Sequence, residues 1–199
     1  MDFDPVWFTE ARENFHKTGH YCSYLPGSKR YYEFWVEQYR RCRDGLTVKG
    51  YTITGDHYFF LNFYQLPITH SAEKAGGGRR TDFPDFYVSQ YEFFHYFELA
   101  KRLRLHAVLM KARGIGFSEI NAAIAACAYT VIRESITMVT CYDKGKLDRT
   151  LSKDWNALKF LDTHTDGGMF KLRQLSDTAL VKKSGHYIND RGGKIPAGW

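Results

Sequence analysis

Apolar residues recur along this chain with two different periods, and the alternation between them outlines its elements. Asp4 precedes Pro5, an acid able to cap followed by a proline that fits the first helical position, so residues 5–17 are expected to form a short helix. Pro26-Gly27-Ser28 then interrupts the chain. Ser28 can cap a second helix running to about Arg43, with Tyr31, Phe34, Trp35 and Tyr39 forming an aromatic face and Asp44-Gly45 ending it. Thr47–Thr54 and His57–Tyr64 read as two strands of a small β-hairpin about Gly55-Asp56. Residues 69–82 contain three successive glycines followed by Arg79-Arg80, the composition of a linker. Pro84-Asp85 opens a long helix to about Arg104, with Val88, Tyr91 and Phe94 at helical spacing.

The central segment has a different order. His106–Met110 is a short apolar run of the kind expected for a strand covered on both faces. Ser118–Ile132 carries Ile120, Ile124, Cys127 and Val131 on one helical stripe, among alanines that favour helix and allow close approach. Ile136–Cys141 is a second run rich in β-branched residues. Strand, glycine loop, helix and strand make a βαβ unit. A further helix is expected from Asp143, as its cap, to about Leu161, and a weak strand within Thr178–Ile188. The fold class expected is therefore α/β: a P-loop NTPase-like parallel sheet with flanking helices, preceded by an N-terminal helical and hairpin region. The domain organisation expected is helices and hairpin over 1–68, a linker over 69–82, and a partial α/β core over 83–199.

Composition narrows the class. The chain has 199 residues, 44% hydrophobic and 25% charged, which is ordinary for a folded globular protein. No apolar run approaches the roughly 20 residues of a membrane helix, and Met1-Asp2-Phe3-Asp4 lacks the basic and apolar regions of a secretory signal. Cys22, Cys42, Cys127 and Cys141 are scattered, as expected for reduced thiols in a cytosolic compartment. The net charge of +6 and recurrent basic clusters (Arg40-Arg41-Arg43, Arg79-Arg80, Lys101-Arg102-Arg104, Lys144-Lys146, Lys182-Lys183) favour polyanionic partners such as phosphates or nucleic acid.

The most specific chemistry lies in Lys111-Ala112-Arg113-Gly114-Ile115-Gly116-Phe117-Ser118. A phosphate-binding loop must offer backbone N–H groups, a positive charge near the β- and γ-phosphates, and a hydroxyl for Mg²⁺. Gly114 and Gly116 allow the backbone to approach closely, and Ser118 is placed for the hydroxyl. Phe117 stands where the pattern G-x-x-x-x-G-K-[ST] has lysine, so the charge must come from Lys111 or Arg113 at the loop's entrance. Two other readings remain open. A plain strand-to-helix turn would leave both cations in solvent. A dinucleotide fingerprint starting at Gly114 would place Glu119 where its third glycine belongs, with Asp143 as the acid after the second strand.

The segment Lys111–Ser118 resembles the deviant phosphate loop of large terminase subunits, the DNA-packaging motors of tailed bacteriophages, in which the lysine can shift to the start of the loop. Gly55-Asp56-His57-Tyr58-Phe59-Phe60-Leu61-Asn62-Phe63 is similar to a glycine, aromatic, Leu-Asn block that precedes the ATPase core in several such proteins. The resemblance implies ATP and Mg²⁺ as cofactors, with Lys111 on the β/γ-phosphates, Ser118 on Mg²⁺ and Arg113 as a second phosphate ligand or transition-state stabiliser. The loop from Lys111 through Ala112, Arg113, Gly114, Ile115, Gly116 and Phe117 to Ser118 would hold the nucleotide, with Gln90 against the adenine. It further implies double-stranded DNA, a portal protein and a small terminase subunit as partners, a homo-oligomeric ring, and the host cytoplasm as location.

Two expected pieces are missing from the sequence: a strand ending in Asp-Glu, and the carboxylate cluster of a two-metal nuclease. Both are expected beyond residue 199, leaving this chain short of full turnover by itself. Weaker constellations include a zinc site from His16, His20, Cys22 and Cys42, whose spacing is irregular. The Tyr58–Tyr64 aromatics could stack on single-stranded bases, although a hairpin core explains them as well. A basic nucleic-acid-binding module without catalysis and a nicotinamide-dependent enzyme are the alternative functions.

Overall fold

The computed structural model describes residues 3–69, 79–112, 116–132, 135–169 and the short strands 175–178, 181–184, 186–188 and 194–196. Asp4 does act as a cap, its Oδ1 accepting from the Val6 N–H at 3.0 Å, but what it caps is a single 3-10 turn, Pro5–Phe8. The α-helix α1, Glu10–Thr18, follows and ends at Gly19 in the left-handed region. Helix α2 spans Lys29–Asp44, with the Ser28 hydroxyl accepting from the Tyr31 N–H at 3.2 Å. Its aromatic face turns inward, with Tyr31 and Trp35 buried and Phe34 and Tyr39 packed beside them.

The hairpin lies earlier in the chain than the pattern predicts. Strands β1 (Leu46–Val48) and β2 (Tyr51–Ile53) pair antiparallel about Lys49 and Gly50, at φ +50° and +85°. Positive φ at both central residues is what a type I′ two-residue hairpin turn requires. His57–Tyr64 is no strand. Gly55–Phe63 is helix α3, opened by the Thr54 hydroxyl accepting from the His57 N–H at 3.3 Å. All nine of its residues are buried. An aromatic run buried on every side carries no amphipathic period, so periodicity cannot separate a core helix from a core strand here.

Strands β3 (Leu66–Thr69) and β4 (Arg79–Asp82) pair antiparallel, so the ends of the expected linker meet in a ladder; residues 70–78 lie outside the described residues. Helix α4, Val88–Leu103, starts later than Pro84 and stops at Arg104, which is left-handed at φ +55° while the Leu105 N–H reaches back to the Ala100 carbonyl. Helix α5 spans Phe117–Val131, and its inward face is built largely of Ala122, Ala123, Ala126 and Cys127 with Ile120. Helix α6, Lys144–His164, begins at Asp143, whose Oδ1 accepts from the Lys146 N–H at 2.8 Å, the capping role expected of it. Beyond α6 the described backbone forms the pairs β5–β6 (Leu175–Thr178 with Val181–Ser184) and β7–β8 (His186–Ile188 with Lys194–Pro196).

The α/β expectation is overturned. Among the described residues the fold is mostly helical, and every strand pairing is antiparallel and two-stranded; there is no parallel P-loop sheet. Neither apolar run flanking α5 is a strand. Met110 is 94% and Ile136 91% exposed, with Val108 and Met138 also in solvent. A strand of a doubly covered sheet needs neighbours on both edges and helices on both faces. Here the 106–112 backbone instead leans on α4, where the Tyr96 hydroxyl accepts from the Val108 N–H at 3.3 Å and donates to its carbonyl at 3.5 Å.

The core forms around α3. Helix α2 crosses it so closely that a Cβ on Gly55 would meet the Cys42 carbonyl. α1, α4 and α5 cover its remaining sides, and α6 packs on α5. Asn62 is the polar hub of this core. Its Nδ2 donates to the carbonyls of Phe8 and Tyr58 at 2.9 Å each, its Oδ1 accepts from the Arg12 N–H at 3.2 Å, and its own carbonyl accepts from the Tyr21 hydroxyl at 2.7 Å.

Candidate functional site

The loop singled out by its composition leads into the N-terminus of α5. Gly116 sits at φ +71°, in the left-handed region that favours glycine, and no side chain among the described residues caps the helix. The first amides of an uncapped helix lack partners within it and present a partial positive charge to an anion. Ser118, the second helical residue, is exposed. Arg113, Gly114 and Ile115 lie outside the described residues.

Phe117, which replaces the usual lysine, takes on a structural job. Its ring meets Phe93 of α4 edge-to-face, centroids 5.2 Å apart, and so pins the start of α5 to α4. The Lys111 ammonium lies 6.0 Å from the Phe117 centroid, at the outer limit of a cation–π contact, and donates to the Ala112 carbonyl at 3.3 Å. The lysine at the loop's entrance is thus folded back toward the helix start. Gln90 lies on α4 one turn before Phe93, half-buried, its Oε1 shut off from solvent without a hydrogen-bond partner among the described residues.

Glu119 is not aimed at a phosphate. Its carboxylate is mostly buried, accepts from the Tyr64 hydroxyl at 2.7 Å and pairs with the Lys153 ammonium of α6 at 2.7 Å. Next to Lys153, Asp154 has a buried Oδ1 without a partner among the described residues, and burial lifts its carboxyl to about 7. Sequence reasoning found Glu119 but missed Tyr64, Lys153 and Asp154. No local signal in the sequence points to these three, which lie 55, 34 and 35 residues from Glu119.

Comparison with protein-family models, curated proteins and solved structures finds no match.

Other expected sites dissolve or change. His16 Nε2 lies 2.8 Å from Asp82 Oδ1, Cys42 is buried with its thiol pushed up by desolvation, and no group of three His, Cys, Asp or Glu among the described residues is placed to hold a metal. The Tyr58–Tyr64 aromatics are buried in and just after α3, so they present no rings to nucleic-acid bases. The Arg40-Arg41-Arg43 cluster is neutralised by Glu37, Glu10 and Asp44. Arg102 and Arg104 remain exposed beside the loop's approach, in a stretch with no Asp or Glu between Glu98 and Glu119. Among the described residues no helix is long and apolar enough to cross a membrane.

Proposed function

We propose that the chain is the ATP-binding part of a bacteriophage large terminase subunit, coupling ATP hydrolysis to movement of double-stranded DNA into a capsid in the host cytoplasm. The observation that carries the reading is the uncapped start of α5 at left-handed Gly116, with the Lys111 ammonium folded back to within 6.0 Å of the ring that replaces the usual lysine. The resemblance of Lys111–Ser118 to the terminase loop agrees with this arrangement. The phosphate site rests on the loop and the helix alone, since no strand of the described residues stands behind it.

In this reading the first amides of α5 and the Lys111 ammonium bind the β- and γ-phosphates, with Arg113 as a further cation. The exposed Ser118 hydroxyl is suited to Mg²⁺, which keeps several waters and is commonly held by few protein oxygens plus phosphate. Magnesium held there would neutralise charge on the phosphates during hydrolysis of ATP by water to ADP and phosphate. Gln90, whose Oε1 is turned inward, would have to present its amide nitrogen to the adenine edge. The exposed basic run from Arg102 to Lys111 offers phosphate contacts to duplex DNA. A portal protein, a small terminase subunit and further copies of the chain in a ring complete the proposed assembly.

Lys111→Ala in the complete protein is expected to abolish DNA-dependent ATPase activity. Retained turnover would shift the phosphate contact to Arg113, and retained turnover in Lys111→Ala/Arg113→Ala would refute the loop's role. The exposed basic run also favours a second reading, a non-catalytic nucleic-acid-binding module. That reading predicts DNA binding indifferent to Lys111 and Ser118 and no affinity for nucleotide.

A further inference from the structure

We propose that the outer face of α2 is a docking surface for a second copy of this chain, the two α2 helices packing antiparallel about a two-fold axis beside Val36. The helix carries apolar residues on both sides. Tyr31, Trp35, Gln38 and Cys42 lie buried on its inner face, as a helix packed on a core requires. The opposite stripe, Lys29, Tyr32, Glu33, Val36 and Arg40, also repeats at helical spacing, and Tyr32 and Val36 at its middle are 61% and 68% exposed. An open groove of about 570 Å³ accompanies them, lined by Gly27, Lys29, Tyr32, Glu33, Val36 and Glu37. Leu25, just before the helix, is also in solvent.

The order of charge along the helix selects the occupant and its direction. The half that lines the groove carries Glu33 and Glu37, and the half beyond it carries Arg40, Arg41 and Arg43. A face acidic at one end and basic at the other complements itself when a second copy lies on it antiparallel; parallel packing would set Glu33 on Glu33 and Arg40 on Arg40. One register sets Glu33 opposite Arg40 of the second copy and Lys29 opposite Asp44, because both pairs share a midpoint between Val36 and Glu37. Val36 of each helix then lies beside the axis. Within the chain Lys29 pairs with Glu33 at 3.6 Å and Arg40 with Glu37 at 2.8 Å, but these pairs are exposed and contribute little that a second copy cannot replace. Glu37 keeps Arg41, at 2.8 Å, when Arg40 turns outward. A helix of 16 residues is about 24 Å long, so the contact is small and the dimer transient. Such an isologous contact joins two copies only, apart from the head-to-tail contacts of the proposed ring, and it does not depend on the ATPase reading.

The test is sedimentation velocity on the complete chain and four variants, at concentrations from about 5 to about 500 µM, a span that resolves micromolar and weaker dimers. The parent is expected to pass from monomer to dimer as concentration rises. Val36→Arg sets like charges at the axis and is expected to weaken dimerisation by at least about tenfold. Glu33→Arg and Arg40→Glu are each expected to weaken it by about tenfold, since the pair occurs twice in a two-fold dimer. The decisive variant is Glu33→Arg/Arg40→Glu, which exchanges the charges in every copy and is expected to return dimerisation to within about threefold of the parent. These side chains are exposed, so thermal midpoints are expected to stay close to the parent's, separating a lost contact from a lost fold. A parent that stays monomeric throughout overturns the inference, as does self-association equally strong in Val36→Arg. No recovery in Glu33→Arg/Arg40→Glu overturns the antiparallel register, and the inference with it.

Discussion

The Tyr64 hydroxyl donates to the Glu119 carboxylate at 2.7 Å, tying the end of the buried aromatic helix to the first turn of α5. Tyr64 is itself buried, and burial beside Glu119 pushes its phenol well above the ordinary range, so it remains a donor at every working pH. Tyr64→Phe removes this one hydrogen bond while keeping the ring. A hydrogen bond to a charged group contributes about 1.5–3 kcal/mol, so the variant is expected to unfold at lower urea with an unchanged slope. An unchanged midpoint would mean that the bond contributes nothing net.

Asn62 holds three segments together through its side chain alone: the turn ending at Phe8, the start of α1 at Arg12, and its own helix at Tyr58. Asn62→Ala strands buried donors and acceptors and leaves a cavity, for an expected loss of about 3 kcal/mol. Chemical denaturation measures it. A loss below about 1 kcal/mol would show that water replaces the amide.

Gly55 is fixed by the approach of α2, because a side-chain carbon there would overlap the Cys42 carbonyl, backbone against backbone. Gly55→Ala must push the two helices apart and is expected to cost roughly 3 kcal/mol, read as a drop in thermal midpoint. Undiminished stability would contradict the crossing of α2 over α3.

Two buried groups give opposing pH dependences. His57 is stacked on Phe94 and Phe86, its ring nitrogens have no partners among the described residues, and burial lowers it from the ordinary value of 6.5 to about 3. The unfolded chain then binds the extra proton between pH 6.5 and 3, so this contribution is lost as pH falls through that window, at up to about 1.4 kcal/mol per pH unit. Asp154 is raised to about 7, so the folded state holds the extra proton above the ordinary 3.8, and stability is lost as pH rises toward 7. The two slopes oppose each other between about pH 4 and 6.5. His57→Phe should therefore expose stability that falls with rising pH, and Asp154→Asn stability that falls with falling pH. Parallel profiles for both variants would show that neither group titrates as its burial requires.

The sequence made the caps legible. Ser28, Asp4 and Asp143 are short polar side chains whose local geometry needs no tertiary information, and each accepts the N–H expected of a cap. The stripe of α5 was readable for the same local reason. His57–Tyr64 was not, because burial on all sides removes the alternation that would tell helix from strand. The runs at 106–110 and 136–141 have strand-like composition, but composition carries no information about the neighbour that would complete a ladder, and none pairs with them among the described residues. At the candidate site, a glycine leading into the helix at Gly116 could be read from the sequence. The neutralisation of Glu119 could not, because Tyr64 and Lys153 come from elements 55 and 34 residues away.

The central claim is that the start of α5 binds a triphosphate, and equilibrium binding of labelled ATP to the purified chain with and without Mg²⁺ tests it most directly. The account predicts saturable, magnesium-dependent binding that Ser118→Ala weakens and Lys111→Ala/Arg113→Ala removes. No ATP binding under either condition, by a chain that still binds duplex DNA and does so equally well in these variants, would contradict it.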